Sequence, residues 1–139
     1  MYNQLEIIKK ASILIENKKY IQAKKILLDF LENSKNIKLD IKFFYTIYLV
    51  FDKLKDLQNA KKYLERCLKI NDTNHIILNN LANIYLKENN IYKAEKLYLK
   101  SFDFKNDYLP VIVNIAILYQ NLGRLDESKK FYFKAIEIS

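Results

Sequence analysis

At 139 residues and 50% apolar content the chain fits one domain with a continuous core. One glycine and one proline leave almost no punctuation for hairpins, which points to an all-α chain with short connections. The net charge of +8 comes from 22 lysines and only two arginines; Cys67 is alone, so no internal disulfide can form. With His75 as the only other soft ligand, a structural zinc site lacks a ligand set, and no cofactor is expected. No apolar run approaches the roughly 18–20 residues that a transmembrane helix needs. The start, Met1-Tyr2-Asn3-Gln4-Leu5-Glu6-Ile7, lacks the basic head and apolar core of a signal peptide, so a cytoplasmic location is expected.

The first segment places Ile7, Ala11 and Leu14, then Ala23, Leu27 and Phe30, at the four-and-three spacing of two amphipathic helices. The polar break Asn17-Lys18-Lys19 separates them, and Asn33-Ser34-Lys35-Asn36-Ile37-Lys38 reads as a loop. The second segment runs Phe44, Ile47, Tyr48 and Phe51, then Ala60, Leu64 and Cys67, around Lys53-Leu54-Lys55-Asp56. The third runs Leu78, Leu81, Ala82 and Tyr85, a break at Glu88-Asn89-Asn90, then Ile91, Ala94, Leu97, Tyr98, Ser101 and Phe102. The fourth runs Ile112, Ile115, Ala116 and Tyr119, a break at Asn121-Leu122-Gly123-Arg124, then Ser128, Tyr132 and Ala135. Asp40, Asp56 and Asp107 stand just before helix starts, where a side-chain oxygen can satisfy free N–H groups. Pro110 falls in a first helical turn, where its missing N–H costs little. Gly123 sits where a helix would end in the left-handed region.

These segments are in register. Leu78, Leu81, Ala82 and Tyr85 recur 34 residues later as Ile112, Ile115, Ala116 and Tyr119, and 34 residues earlier as Phe44, Ile47, Tyr48 and Phe51. One further step back needs three extra residues, which fall in the polar loop. The 34-residue period, with the order large-x-x-large-small-x-x-aromatic and then small-x-x-x-aromatic, resembles the tetratricopeptide repeat over nearly the whole chain. Departures are the absence of tryptophan, Tyr48 at a place usually small, and Asp72 and Asn106 where a repeat-ending proline is usual. The resemblance implies an all-α, right-handed α-solenoid of about four helix–turn–helix repeats in a single domain, at approximately 4–40, 41–74, 75–108 and 109–139.

It also implies a function: an adaptor or scaffold, not an enzyme, that binds a protein or peptide in a concave groove lined by the first helix of each repeat. Projecting that face selects Ile8, Ser12, Tyr45, Leu49, Asn79, Asn80, Asn83, Leu86, Val113, Asn114, Ile117 and Gln120, a stripe of apolar residues flanked by amides. An asparagine both donates and accepts, so it can pair with a ligand peptide bond; Asn80 and Asn114, one period apart, would stack as a ladder. The same asparagines can instead brace neighbouring helices, and the residues alone leave both roles open. The places of the family's carboxylate clamp carry no cations here, which disfavours a chaperone-tail receptor.

The alternative is a basic scaffold for nucleic acid or an acidic surface, through convex lysines such as Lys24, Lys25, Lys61, Lys62, Lys96, Lys129 and Lys130. Two arginines are few for reading bases, so specific nucleic-acid recognition is disfavoured. No glycine-rich phosphate loop accompanies the repeat, and His75 has no evident nucleophile. On the last helix Phe131, Tyr132, Phe133 and Ile136 supply an apolar face, and a second copy of the chain or a continuation of the stack is expected to cover it rather than leave it modestly exposed.

Overall fold

The computed structural model describes residues 2–139, which form two compact units, one up to Asp72 and one from Thr73 onward. The first unit holds α1 (Gln4–Glu16), α2 (Tyr20–Glu32), α3 (Ile41–Lys53) and α4 (Leu57–Ile70). The second holds α5 (His75–Lys87), α6 (Ile91–Phe104), α7 (Leu109–Asn121) and α8 (Leu125–Ile138). No strand occurs among the described residues, so the eight helices fall into four antiparallel pairs. In the first unit α1 packs on α2 and α3 on α4, with α1 and α2 both against α3. In the second unit α5 packs on α6, α7 on α8, and α6 against α7.

Each pair is closed by one turn repeated four times. Lys18, Lys55, Asn89 and Gly123 take positive φ of 58°, 58°, 60° and 74°. The following residues, Lys19, Asp56, Asn90 and Arg124, donate their N–H groups back to the carbonyls of Leu14, Phe51, Tyr85 and Tyr119 at 2.8–3.0 Å. This Schellman closure satisfies carbonyls that the helix end would otherwise leave bare. Asp56 and Asn90 then serve at once as N-caps of α4 and α6, accepting from the N–H groups of Asn59 and Lys93. Asn3 and Glu6 form a reciprocal capping box on α1, and Asp40 caps α3 through the N–H of Phe43. The third expected cap, from Asp107, does not form. α7 starts after Tyr108 with no side-chain cap, and Asp107 instead pairs with Lys105 at 3.1 Å. Pro110, in the first turn of α7, removes one of the donors such a cap would have served.

The small residues of the repeat allow the close helix approach. Ala11, Ala23, Ala60, Ala82, Ala94 and Ala116 are all fully buried. Polar members of the same series tie the helices together. Ser101 Oγ donates to the His75 carbonyl at 2.7 Å, Cys67 Sγ reaches the equivalent Ile41 carbonyl at 3.7 Å, and Ser128 Oγ donates to the Ala116 carbonyl at 2.7 Å. Burial pushes the Cys67 thiol up to about 12, so it behaves as a packed small residue. The core extends beyond the expected register: Phe43, Ile77 and Val111, and likewise Val50, Ile84 and Leu118, are buried and one period apart. Tyr48, at the usually small position, is buried beside Tyr45, with ring centroids 5.3 Å apart. The first unit accommodates such bulk with an aromatic core in which Phe51 and Tyr63 stack at 5.7 Å and Phe30 meets Phe43 at 5.5 Å.

Candidate functional site

The first helices carry the residues selected from the repeat register. In the second unit they separate into a braced layer and an exposed stripe. The braced layer is a hydrogen-bond network spanning α5, α6 and α7. Asn114 Nδ2 donates to Asn79 Oδ1 at 2.9 Å and to Asn83 Oδ1 at 3.2 Å, while the Tyr98 hydroxyl also donates to Asn83 Oδ1. Asn79 is 3% exposed, so its amide serves the network. Burial holds the Tyr98 hydroxyl protonated, up to about 12, as a donor requires. Asn114 therefore bonds across to Asn79 and Asn83, not up the chain period to Asn80. Asn80 is half-buried and has interactions of its own. These bonds rigidify the interval between the helices, because leaving any buried member unmatched costs about 1–3 kcal/mol.

Above this layer, Val113, Ile117 and Gln120 occupy one face of α7 at i, i+4 and i+7. Ile117 is 42% exposed; Val113 and, on α5, Leu86 are half-buried. The exposed Gln120 accepts from the Tyr132 hydroxyl through Oε1 at 2.8 Å, which fixes its amide plane. In the first unit Ile8, Ser12, Tyr45 and Leu49 are all half-buried, and Ser12 Oγ turns back to the Ile8 carbonyl at 2.9 Å. Two participants escaped the sequence reading. Tyr98 has a fully packed ring whose hydroxyl is a network donor, and Tyr132 orients Gln120. Each occupies the repeat's aromatic position, where the pattern signals ring volume and is silent about the hydroxyl.

The second unit's one arginine is committed. Arg124 lies over the Tyr119 ring at 4.0 Å and pairs with Glu127 at 2.9 Å and Glu95 at 2.7 Å. Hydrogen bonds to Glu127 and Glu95 raise its pKa, and Glu127 is lowered in return. Of the convex lysines, Lys25, Lys62, Lys96, Lys129 and Lys130 are exposed, while Lys24 and Lys61 are half-buried. Among the described residues no group of His, Cys, Asp and Glu is placed to hold a metal ion. No helix among them is long and apolar enough to cross a membrane.

Helix pairs of this length, closed by a common turn and locked by small buried residues at a 34-residue period, define a class of repeat protein. The family model described as Tetratricopeptide repeat matches residues 47–74, 76–108 and 109–139, and the chain belongs to that family. A curated relative, the uncharacterized protein ycf37 of Porphyra purpurea, is 34% identical over 70 residues, 50% of this chain. That match spans only 40% of the relative's own length. Among solved structures, MamA superposes with a TM-score of 0.85 at 20% identity, covering 98% of this chain and 78% of the MamA chain. YrrB, described as a TPR protein with an unusual peptide-binding site, gives 0.80 at 16% identity, covering 98% and 69%. At such identities the likeness shows the fold, an all-α repeat of helix pairs.

Proposed function

We propose that the protein is an interaction module whose first-helix faces bind a segment of another polypeptide, without catalysis. The observation that carries this is the apolar stripe on α7, exposed Ile117 beside half-buried Val113, next to a braced amide layer. A rigid platform loses little entropy on binding, and Ile117, Val113 and Leu86 offer apolar area worth about 25 cal/mol per Å2 covered. Asn80 and Gln120 border the stripe as polar partners for a bound backbone, with Asn79, Asn83 and Asn114 bracing it from below. In the first unit Ile8, Ser12, Tyr45 and Leu49 form the equivalent face. The family supports this reading at the coarse level of protein binding, and YrrB is a solved member with a peptide-binding site. The outer face of α8, where Phe133 is 65% and Ile136 67% exposed, is proposed as a surface for self-association, while Phe131 packs inward on Phe102 and Tyr119 and Tyr132 bonds Gln120.

The test is a selection of displayed random peptides against the intact chain, repeated with Ile117→Asp and with Val113→Asp. Peptides that bind the wild type and lose at least about tenfold in affinity to either variant support the stripe, since a desolvated unpaired carboxylate costs several kcal/mol. Selected peptides indifferent to both substitutions remove it. The basic-scaffold alternative makes a different forecast. Binding through the convex lysines would fall linearly in log–log terms with salt, by about 10³ or more between 50 and 200 mM for six phosphate contacts, whereas an apolar stripe tolerates salt.

A further inference from the structure

The three residues by which the first repeat exceeds its period fall in the loop between α2 and α3, and they help to build a cleft in the first unit. The cleft is about 530 Å3 and has an apolar floor of Leu31, Ile37, Leu39, Phe44 and Ile70. Ile37 is 52% exposed and Ile70 49%, while Leu31 and Leu39 are half-buried, so the open part of that floor is aliphatic among the described residues. Its rim is Lys35, Lys38, Arg66 and Lys69, and no carboxylate lines it. Among the described residues none of these four cations stands in an ion pair; the pairs formed are those of Lys105 and Arg124 and those of residues elsewhere. The nearby Asp40 is committed to capping α3. The carbonyl ends of α2 and α4 add about half a negative charge each, too little to neutralise four cations.

The chemistry of the rim narrows the occupant. Three of the four cations are lysines, mobile point charges without the fixed fork that grips a single phosphate. The aromatic ring at the floor, Phe44, is buried and capped by the Arg66 guanidinium at 4.4 Å, so it presents no face on which a base could stack. A partly open aliphatic floor within a ring of unpaired cations matches a polypeptide that is acidic and carries an apolar side chain. We propose that this cleft binds an acidic peptide segment, seating one apolar side chain among Leu31, Ile37, Leu39 and Ile70 while its carboxylates meet Lys35, Lys38, Arg66 and Lys69. The site uses the α2–α3 loop and the end of α4, and it is independent of the α7 stripe.

The experiment is fluorescence anisotropy on the intact chain with a labelled synthetic peptide, several glutamates flanking one phenylalanine. Expected is saturable binding that weakens at least ~10-fold in Lys38→Glu with Lys69→Glu, two exposed positions whose reversal leaves the core untouched. Replacing the peptide's phenylalanine by alanine is expected to weaken binding about tenfold or more, from the lost burial of its ring. Lys129→Glu with Lys130→Glu changes net charge equally at a site far along the chain and is expected to leave binding nearly unchanged, as is Ile117→Asp. The proposal is overturned by no binding, by equal loss in the Lys129 and Lys130 control, by loss in Ile117→Asp, or by indifference to the peptide's phenylalanine. It is also overturned if phosphatidylglycerol vesicles or single-stranded DNA show the Lys38 and Lys69 dependence and the peptide does not.

Discussion

Lys18, Lys55 and Asn89 hold the same left-handed backbone conformation as Gly123, yet only the glycine announces it. An L side chain in that region costs about 1–2 kcal/mol. Relative to glycine it recovers about 0.4–1 kcal/mol through a less flexible unfolded chain. The difference is small beside the paired hydrogen bonds of the turn, so the closure survives lysine, and a Cβ built on Gly123 would meet nothing within 4 Å. That is why the four polar breaks were legible as breaks while their common geometry was not. Asp56 shows a residue whose role was legible. It accepts from the Asn59 N–H at 3.1 Å and from Asn59 Nδ2 at 2.8 Å, and the side-chain bond, then the backbone bond, lower its pKa below 3.8. A carboxyl depressed in the folded state contributes stability that is complete above its unfolded value and lost as pH falls through the folded value. Asp56→Ala is therefore expected to cost about 0.5–1 kcal/mol at neutral pH, the lower part of the range for a partly exposed cap. In urea titrations the difference from wild type should shrink below pH 3.8, and a cost independent of pH would show that the carboxylate is not the cap.

At the scale of the helix pair, period carries most of the information. Ala82 and Ala116, and likewise Ala60 and Ala94, are fully buried members of two series in which only Tyr48 and Ser128 are larger. Ala82→Leu is expected to overpack the α5–α6 contact and cost about 1–3 kcal/mol, lowering the thermal midpoint, and an unshifted midpoint would contradict the helix register. The same arithmetic of 34 residues reaches Phe43, Ile77 and Val111, and Val50, Ile84 and Leu118, core positions that the six-place pattern alone leaves out. It stops short in the first repeat, where the equivalent Glu6 and Ile13 are exposed. What period cannot supply is the partner of a polar side chain. Asn80 and Asn114 share a register position, but α5 and α7 are offset so that Asn114 bonds Asn79 and Asn83. A hydrogen bond depends on a few tenths of an ångström and an angle, neither of which is written in spacing.

For the molecule as a whole, the proposed association surface on α8 gives an expectation in solution. Phe133 and Ile136 are both more than half exposed and lie on the same helix face. Sedimentation of the intact chain is expected to show concentration-dependent association, abolished by Phe133→Glu with Ile136→Glu; a wild type that stays monomeric at every concentration would end this reading. The helix-pair class, the repeat length and the set of buried small residues were determined by the sequence, because burial along an amphipathic helix follows from residue order and period alone. The division of the first-helix faces into braced amides and a partly exposed stripe, and the basic cleft beside the α2–α3 loop, were decided only by tertiary structure. Both depend on how far one helix is shifted and rotated against its neighbour, a quantity that arises from the packing of all the side chains between them.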